Sequence, residues 1–191
     1  MDKKERIVKS AIELFQEQGI EKTTVSDIVK RTQIAQGTFY LYFSSKLALM
    51  PAIAEEMVKI LVDQINKKIN NETDFTTQMK KMIDAIFAVN EEYSEVLALI
   101  YSGLASTEHL KEWETVYAPC YELVSSLIDK AKEEKAIQST IPSDCAAKLV
   151  IGLVESAAEQ VYLYNYSDVT EIESQKDAVT QFLFDALQLK R

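Results

Sequence analysis

Glycine and proline are scarce in this chain, with 4 and 3 among 191 residues. Both residues interrupt helices, so their scarcity favours long helical segments. No stretch alternates β-branched and polar residues as a half-buried strand would, and no run of 18 apolar residues could form a transmembrane helix. Because 47% of the residues are hydrophobic and 27% are charged, the sequence predicts an all-α protein with a buried core and no membrane partner.

Histidine and cysteine are also rare, since His109, Cys120 and Cys145 are the only ones. The two cysteines lie 25 positions apart and lack metal-binding spacing, so we predict no metal site. Two cysteines and a polar N-terminal sequence that is not a signal peptide favour the cytoplasm. With one histidine and no glycine-rich phosphate loop, we identify no catalytic residue and expect neither an enzyme nor a cofactor.

Negative charge is in excess but is unevenly distributed, with a net charge of −9 for the whole chain. Residues 1–46 contain eight Lys or Arg and six Asp or Glu, a net charge of +2, whereas residues 47–191 carry −11. A polyanionic partner is therefore expected to meet the N-terminal part, with strongly salt-dependent affinity.

Three short helices are predicted in the first 46 residues. Apolar residues recur at helical spacing over Lys3–Gln18, and Gly19 follows where a C-terminal cap is expected. Thr24 and Asp27 can form a capping box at the start of the second helix. After a tight turn, the third helix is predicted over 36–43. Two short helices around such a turn are typical of a helix-turn-helix, which binds DNA.

The third helix separates apolar side chains from polar ones. Phe39 and Phe43 lie one turn apart and are predicted to face the core. The amide of Gln36 can bond adenine, and Thr38 can bond a base edge or touch a thymine methyl group. Tyrosine hydroxyls and a lysine suit phosphate oxygens, and this chain provides Tyr40, Tyr42 and Lys46.

This segment resembles the DNA-binding domain of the TetR family of bacterial regulators over roughly residues 5–50. The similarity rests on three motifs: Phe-x-x-x-Gly at 15–19, Thr-Thr-Val-x-x-Ile at 23–28, and Gly-x-aromatic-Tyr-x-x-Phe-x-x-Lys at 37–46. The resemblance implies phosphate contacts for Thr24, Tyr40, Tyr42 and Lys46. It implies base contacts for Gln33, Gln36 and Thr38, with Thr32 a further candidate.

Several positions depart from the family's usual pattern. Leu47 and Ala48 follow Lys46, where the family usually has acidic residues. Ala35 stands where a serine usually caps the third helix, which is expected to weaken the start of that helix by about 1 kcal/mol. Tyr42 replaces a frequent histidine. Pro51 lies in the fourth helix, predicted over about 46–70, and is expected either to kink that helix or to delay its start.

The remaining sequence predicts a second helical domain. We expect a helix-turn-helix DNA-binding domain over 1–46 and a helical ligand-binding and dimerisation domain over 47–191, with about nine helices in all. A long helix is predicted to be interrupted or kinked at Pro119. The later helices are predicted over about 75–90, 94–105, 108–135, 143–164 and 170–189.

The resemblance implies a homodimer on a palindromic double-stranded DNA operator, because two reading heads spaced about one DNA turn apart need a two-fold axis. Broad apolar faces on the last two predicted helices fit a symmetric helical interface, although packing within the chain is the other interpretation. The candidate interface residues are Val150, Val154, Ala157, Ala158, Val161, Phe182, Leu183 and Ala186.

The resemblance also implies a pocket for a small-molecule effector. Methionine and aromatic side chains suit a largely apolar ligand, although the same residues at helical spacing are more often part of an ordinary core. Glu155 and Glu159, one turn apart, either pair with a cationic ligand or form a solvated edge. The candidate pocket residues are Phe75, Met79, Met82, Ile83, Phe87, Leu97, Tyr101, Trp113, Tyr117, Tyr121 and Tyr162.

The sequence therefore predicts a ligand-responsive, DNA-binding transcriptional regulator, released as a repressor from a palindromic operator by its effector. Activation instead of repression is also open, since the effect on transcription depends on where the operator lies relative to the promoter. The alternative is an all-helical protein-interaction or ligand-binding module that does not regulate transcription.

Overall fold

The computed structural model describes residues 2–104, 113–164 and 168–190, with the backbone alone over 101–104 and at 113. Within these ranges the all-α prediction is confirmed, and the only β pairing is an isolated bridge between Ile137 and Leu189. A 3-10 turn, Leu47–Leu49, precedes the fourth helix, and a π-helical turn, Gln160–Tyr164, follows the eighth. The described residues form nine α-helices: α1 (Lys3–Gln18), α2 (Val25–Thr32), α3 (Gln36–Tyr42), α4 (Met50–Ile69), α5 (Phe75–Glu92), α6 (Ser94–Leu104), α7 (Trp113–Glu133), α8 (Ser143–Glu159) and α9 (Val169–Ala186).

Side-chain caps mark the start of α1, α2, α5 and α9. The capping box predicted for α2 is present: the amide of Asp27 donates to the Thr24 hydroxyl at 3.2 Å, and the amide of Thr24 donates to the Asp27 carboxylate at 2.8 Å. Asp2 and Glu5 form a second capping box at α1, and the carboxylates of Asp74 and Asp168 accept from the amides of Thr77 and Glu171 at the starts of α5 and α9. Each cap satisfies amides that would otherwise lack a helical partner, which fixes the residue at which the helix starts.

Pro51 delays the start of α4. The chain forms the 3-10 turn first, and α4 begins at Met50, so Pro51 is its second residue. Amides in the first turn of a helix have no helical acceptor, and proline is therefore tolerated there. Of the two outcomes that the sequence left open, the delayed start is the one observed.

Three later helix boundaries differ from the predictions. The described part of α7 is continuous across Pro119, while residues 108–112 lie outside the described ranges. The α-helical part of α8 ends at Glu159 and continues as the π-helical turn. The last helix ends at Ala186, because Gln188 adopts a left-handed conformation with φ 54° and its carbonyl accepts from the amide of Gln138 at 3.1 Å.

The chain divides into two compact units. The first comprises Met1–Val58 and Glu95–Val116, and the second comprises Lys59–Ser94 and Tyr117–Arg191. The second unit is built around α5, which packs against α8 and α9. Among the described helices, none is both long enough and apolar enough to cross a membrane. Side chains at most 2% exposed include Ile7, Ala11, Phe15, Ile28 and Phe39 in the first unit, and Met79, Met82, Ile83, Ile86 and Phe87 in the second.

Candidate nucleic-acid interface

Two arginines hold α2 against α1. The guanidinium of Arg31 donates twice to the Glu17 carboxylate, at 2.6 and 2.5 Å. Arg6 donates to the backbone carbonyl of Thr32, the last residue of α2, at 2.5 Å. The first contact is solvent-exposed and contributes little to stability. Together they set the position of the turn that leads into α3.

The turn between α2 and α3 exposes one candidate residue and buries another. Gln33 is left-handed, with φ 55° and ψ 48°, and its side chain is exposed. Thr32 is only 2% exposed, and its hydroxyl donates to the carbonyl of Ile28 at 2.6 Å. A base contact by Thr32 is therefore ruled out by its burial, whereas Gln33 is accessible.

The core side of α3 is as the spacing predicts. Phe39 is fully buried and Phe43 is 5% exposed, with ring centroids 5.9 Å apart. Ala35 precedes the helix and makes no side-chain capping bond. Because the two phenylalanines fix the rotation of α3 against the rest of the unit, its opposite side must face outward.

Polar and aromatic side chains occupy the outward side of α3. Tyr40 is 49% exposed and Tyr42 is 45% exposed, which leaves their hydroxyls accessible. Gln36 is exposed and Thr38 is partly buried. Thr24 is also exposed, although its hydroxyl donates to Asp27 at 2.6 Å. Hydrogen-bonding groups of this kind suit base edges and phosphate oxygens.

Lys46 makes a structural contact that sequence reasoning missed. Its ammonium donates to the backbone carbonyls of Ile20 at 2.5 Å and Thr23 at 2.7 Å. Thr23 is itself fully buried, and its hydroxyl donates to the carbonyl of Gly19 at 2.8 Å. The loop between α1 and α2 is thus closed by a charged donor more than 20 residues away in sequence.

Replacing Lys46 with methionine is expected to lower the free energy of unfolding by roughly 1–3 kcal/mol, because two carbonyls lose a charged donor. Urea denaturation measures this change. Lys22→Met is the control, since Lys22 is exposed in the same loop and its removal should alter stability by less than about 0.5 kcal/mol. Equal stability of both variants would contradict the structural role of Lys46.

In the second unit, most of the described pocket candidates are core residues. On α5, Phe75, Met79, Met82, Ile83 and Phe87 are at most 3% exposed. Tyr117 is buried, whereas Tyr121 and Tyr162 are partly buried. Leu97 belongs to the first unit, and the side chains of Tyr101 and Trp113 lie outside the described residues. The structure thus brings eight of the eleven candidates into one unit.

Glu155 is not part of a solvated edge. Its carboxylate is partly buried and accepts a hydrogen bond from the Tyr117 hydroxyl at 2.7 Å. Burial raises the pKa of Glu155 to about 7, the Tyr117 bond lowers it, and the charge of Glu159 raises it. Burial chiefly, and also the charge of Glu155, raises the pKa of the Cys120 thiol to about 12, which favours its protonated form.

The cysteine and acidic residues that the structure describes are dispersed in the fold. No group of three His, Cys, Asp or Glu among the described residues could hold a metal ion. Cys120 is buried and Cys145 is exposed, and His109 lies outside the described residues.

Most dimer-interface candidates are buried within the subunit. Val150, Val154, Ala157, Ala158, Val161 and Leu183 are at most 7% exposed, whereas Phe182 is 64% exposed and Ala186 is also exposed. Leu149, on α8, is 64% exposed. These exposed residues border an apolar groove of about 240 Å³, lined by Ile141, Ala146, Leu149, Val150, Leu153, Phe182, Leu183, Ala186 and Leu187.

Two family models match most of the chain. The model for bacterial regulatory proteins of the tetR family covers residues 7–53. The model for the tetracyclin repressor-like C-terminal domain covers residues 79–187. The first runs from within α1 to the start of α4. The second includes the groove and, apart from Phe75, the described pocket candidates of the second unit.

Known proteins are similar along nearly the whole chain. An uncharacterized HTH-type transcriptional regulator, YvdT of Bacillus subtilis, is 40% identical over 181 residues, covering 95% of this chain and 93% of that one. IcaR of Staphylococcus aureus, a negative transcriptional regulator of the biofilm operon icaADBC, is 28% identical over 190 residues, covering 94% and 96%. The crystal structure of Thermus thermophilus FadR, a TetR-family repressor in complex with lauroyl-CoA, has a TM-score of 0.73 at 14% identity, covering 98% and 96%.

Proposed function

Because this chain belongs to the TetR family and is thus a DNA-binding transcriptional regulator, we propose that it is a homodimeric repressor of a palindromic operator. A largely apolar small molecule releases it from DNA. Residues 1–46 contact the operator, and residues 47–191 bind the effector and the second subunit. The observation that carries the proposal is the outward side of α3, which presents hydrogen-bonding side chains on a rigid helix.

Contacts to DNA divide into two kinds. Gln36 and Thr38 lie on α3, where they read base edges in the major groove, and exposed Gln33 reaches the groove from the preceding turn. Tyr40 and Tyr42 donate hydroxyl bonds to phosphates, which position the helix without reading sequence. Thr24 and Lys46 also lie beside the phosphates, in addition to their bonds within the subunit.

The second subunit covers the apolar groove between α8 and α9. Phe182 and Leu149 are each 64% exposed beside buried leucine and valine side chains, an arrangement that isolated subunits rarely leave uncovered. In a dimer with a two-fold axis, the same surface of each subunit forms the interface. The axis also places the two copies of α3 on successive half-sites. The dimer proposal is therefore centred on the exposed residues rather than on the buried valines.

Effector binding is assigned to the second unit because that unit contains the methionine and aromatic candidates of α5 and, apart from Trp113, those of α7. Such side chains adapt to apolar ligands. Thermus thermophilus FadR holds lauroyl-CoA within a similar fold, so long-chain acyl-CoA thioesters belong in the first panel of compounds. An effector acts only through different affinities for two dimer conformations, and a coupling of about 1–3 kcal/mol changes DNA affinity roughly 5- to 150-fold.

Removal of the Tyr40 hydroxyl tests the DNA-contacting face. Tyr40→Phe is expected to weaken binding to operator and non-operator duplexes alike, by roughly 3- to 10-fold for each subunit bound, because each subunit loses one phosphate hydrogen bond. Fluorescence anisotropy over a range of salt concentrations measures the affinities. Tyr164→Phe is the matched control, since Tyr164 is 71% exposed in the second unit.

Wild-type affinity in Tyr40→Phe would remove Tyr40 from the interface. Absence of any salt-dependent duplex binding by the wild-type protein would favour the alternative, a helical module that does not regulate transcription.

A further inference from the structure

Leu41 is the most exposed large apolar side chain among the described residues, at 83%. It lies on α3 between Phe39 and Phe43, two residues from each. Since successive helix residues are rotated by about 100°, Leu41 points almost directly away from the side that these phenylalanines bury. The fold therefore gains nothing from an apolar residue at this position.

The surface around Leu41 is shaped for close approach. Gly37 lies one turn earlier on the same side of α3. Apart from the nearby backbone of α3 and the residues on either side of Gly37, no described heavy atom lies within 4 Å of where a Cβ would be. A glycine inside a helix is less stable than alanine by roughly 0.5–1 kcal/mol. Packing within the subunit does not require Gly37, so α3 presents a bare patch followed by an apolar side chain.

We propose that Leu41 recognises the 5-methyl group of a thymine in each operator half-site. This inference rests on the proposed function, in which α3 enters the major groove. Leucine has no donor or acceptor, so it cannot bond phosphate or the polar base edges. The thymine methyl is the apolar group that unmodified DNA displays in the major groove. The bare surface at Gly37 lets the helix approach closely enough for contact.

Leu41 is not among the DNA contacts predicted from the sequence, because those residues carry hydrogen-bonding side chains and leucine does not. The rotation of α3 was nevertheless predictable from Phe39 and Phe43, and it already placed position 41 opposite the core. An apolar residue at that position is the signal that could have identified it.

The test replaces thymines of a bound operator with deoxyuridine, which removes only the methyl group. Replacement is expected to lower affinity at one symmetric pair of thymines. The loss should be about fourfold for each half-site, which is the change expected from losing the burial of one methyl group. Leu41→Ala should bind the thymine and uracil operators equally at that pair. Leu47→Ala, which changes a leucine 64% exposed just beyond α3, should keep the wild-type sensitivity.

Two results would overturn the inference while leaving DNA binding intact. The first is full wild-type affinity for an operator with uracil at every thymine. The second is an unchanged sensitivity in Leu41→Ala, with its unfolding midpoint confirming the fold. Failure of the proposed function is distinguishable, because the wild-type protein would then bind neither operator with salt-dependent affinity.

Discussion

Phe182→Asp is expected to convert the protein to a monomer and to lower operator affinity at least about 100-fold. Phe182 is 64% exposed beside the apolar groove. In the proposed dimer, the two-fold axis brings the Phe182 side chains of both subunits to one interface. The variant therefore places two aspartates there. Two buried like charges oppose association. A monomer engages one half-site, so it loses the effective concentration that links the two heads, a factor of about 10²–10⁴.

Light scattering gives the mass of this variant, and anisotropy gives its affinity for a full operator and for a single half-site. The variant's affinity for a single half-site should equal the wild-type affinity for that half-site, because each measurement then reports one DNA-binding domain. Val169→Asp is the matched control, because Val169 is 76% exposed on the same helix and lies outside the groove. Retention of a dimeric mass by Phe182→Asp would refute the assignment of the groove as the interface.

Glu155→Gln is expected to stabilise the protein at pH 8 by up to about 3 kcal/mol and to change little at pH 4.5. The pKa of Glu155 is raised from 4.5 to about 7, chiefly by burial. Between these values the folded state keeps a proton that the unfolded state has lost. Stability from this group is therefore full below about pH 4.5 and is lost as the pH rises through 7.

Denaturant titrations at pH 4.5, 6 and 8, at one protein concentration, measure the difference between variant and wild type. Glutamine remains neutral, and its side-chain oxygen can still accept from Tyr117. Glu122→Gln, an exposed position on α7, supplies the control and should show no such pH-dependent gain. A difference that is constant from pH 4.5 to pH 8 would show that Glu155 titrates normally in the folded protein.

Local signals predicted much of the first unit. Helix α1 and the Thr24–Asp27 capping box depend on residues within one or two turns, and so does the burial of Phe39 and Phe43. Periodicity and capping rules reach that far. The bonds from Lys46 to the loop carbonyls depend on backbone positions 23 and 26 residues away, and no periodic pattern encodes them.

The second unit was less predictable for a different reason. Helix α8 is apolar around most of its circumference, and a pattern of that kind does not say which side meets α5 and which meets another subunit. In the structure, Val154 and Ala158 are buried in the core, whereas Leu149 is exposed. Likewise, the spacing of Glu155 and Glu159 gives no indication that the first accepts a hydrogen bond from Tyr117, 38 residues away.

Selection of bound sequences from a random duplex library, with protein refolded free of ligand, is the most direct test of the regulator proposed above. The account predicts enrichment of a palindrome whose half-sites are centred about 10 base pairs apart or at a multiple of that spacing. Enrichment of no sequence at moderate salt, by folded and ligand-free protein, would contradict it.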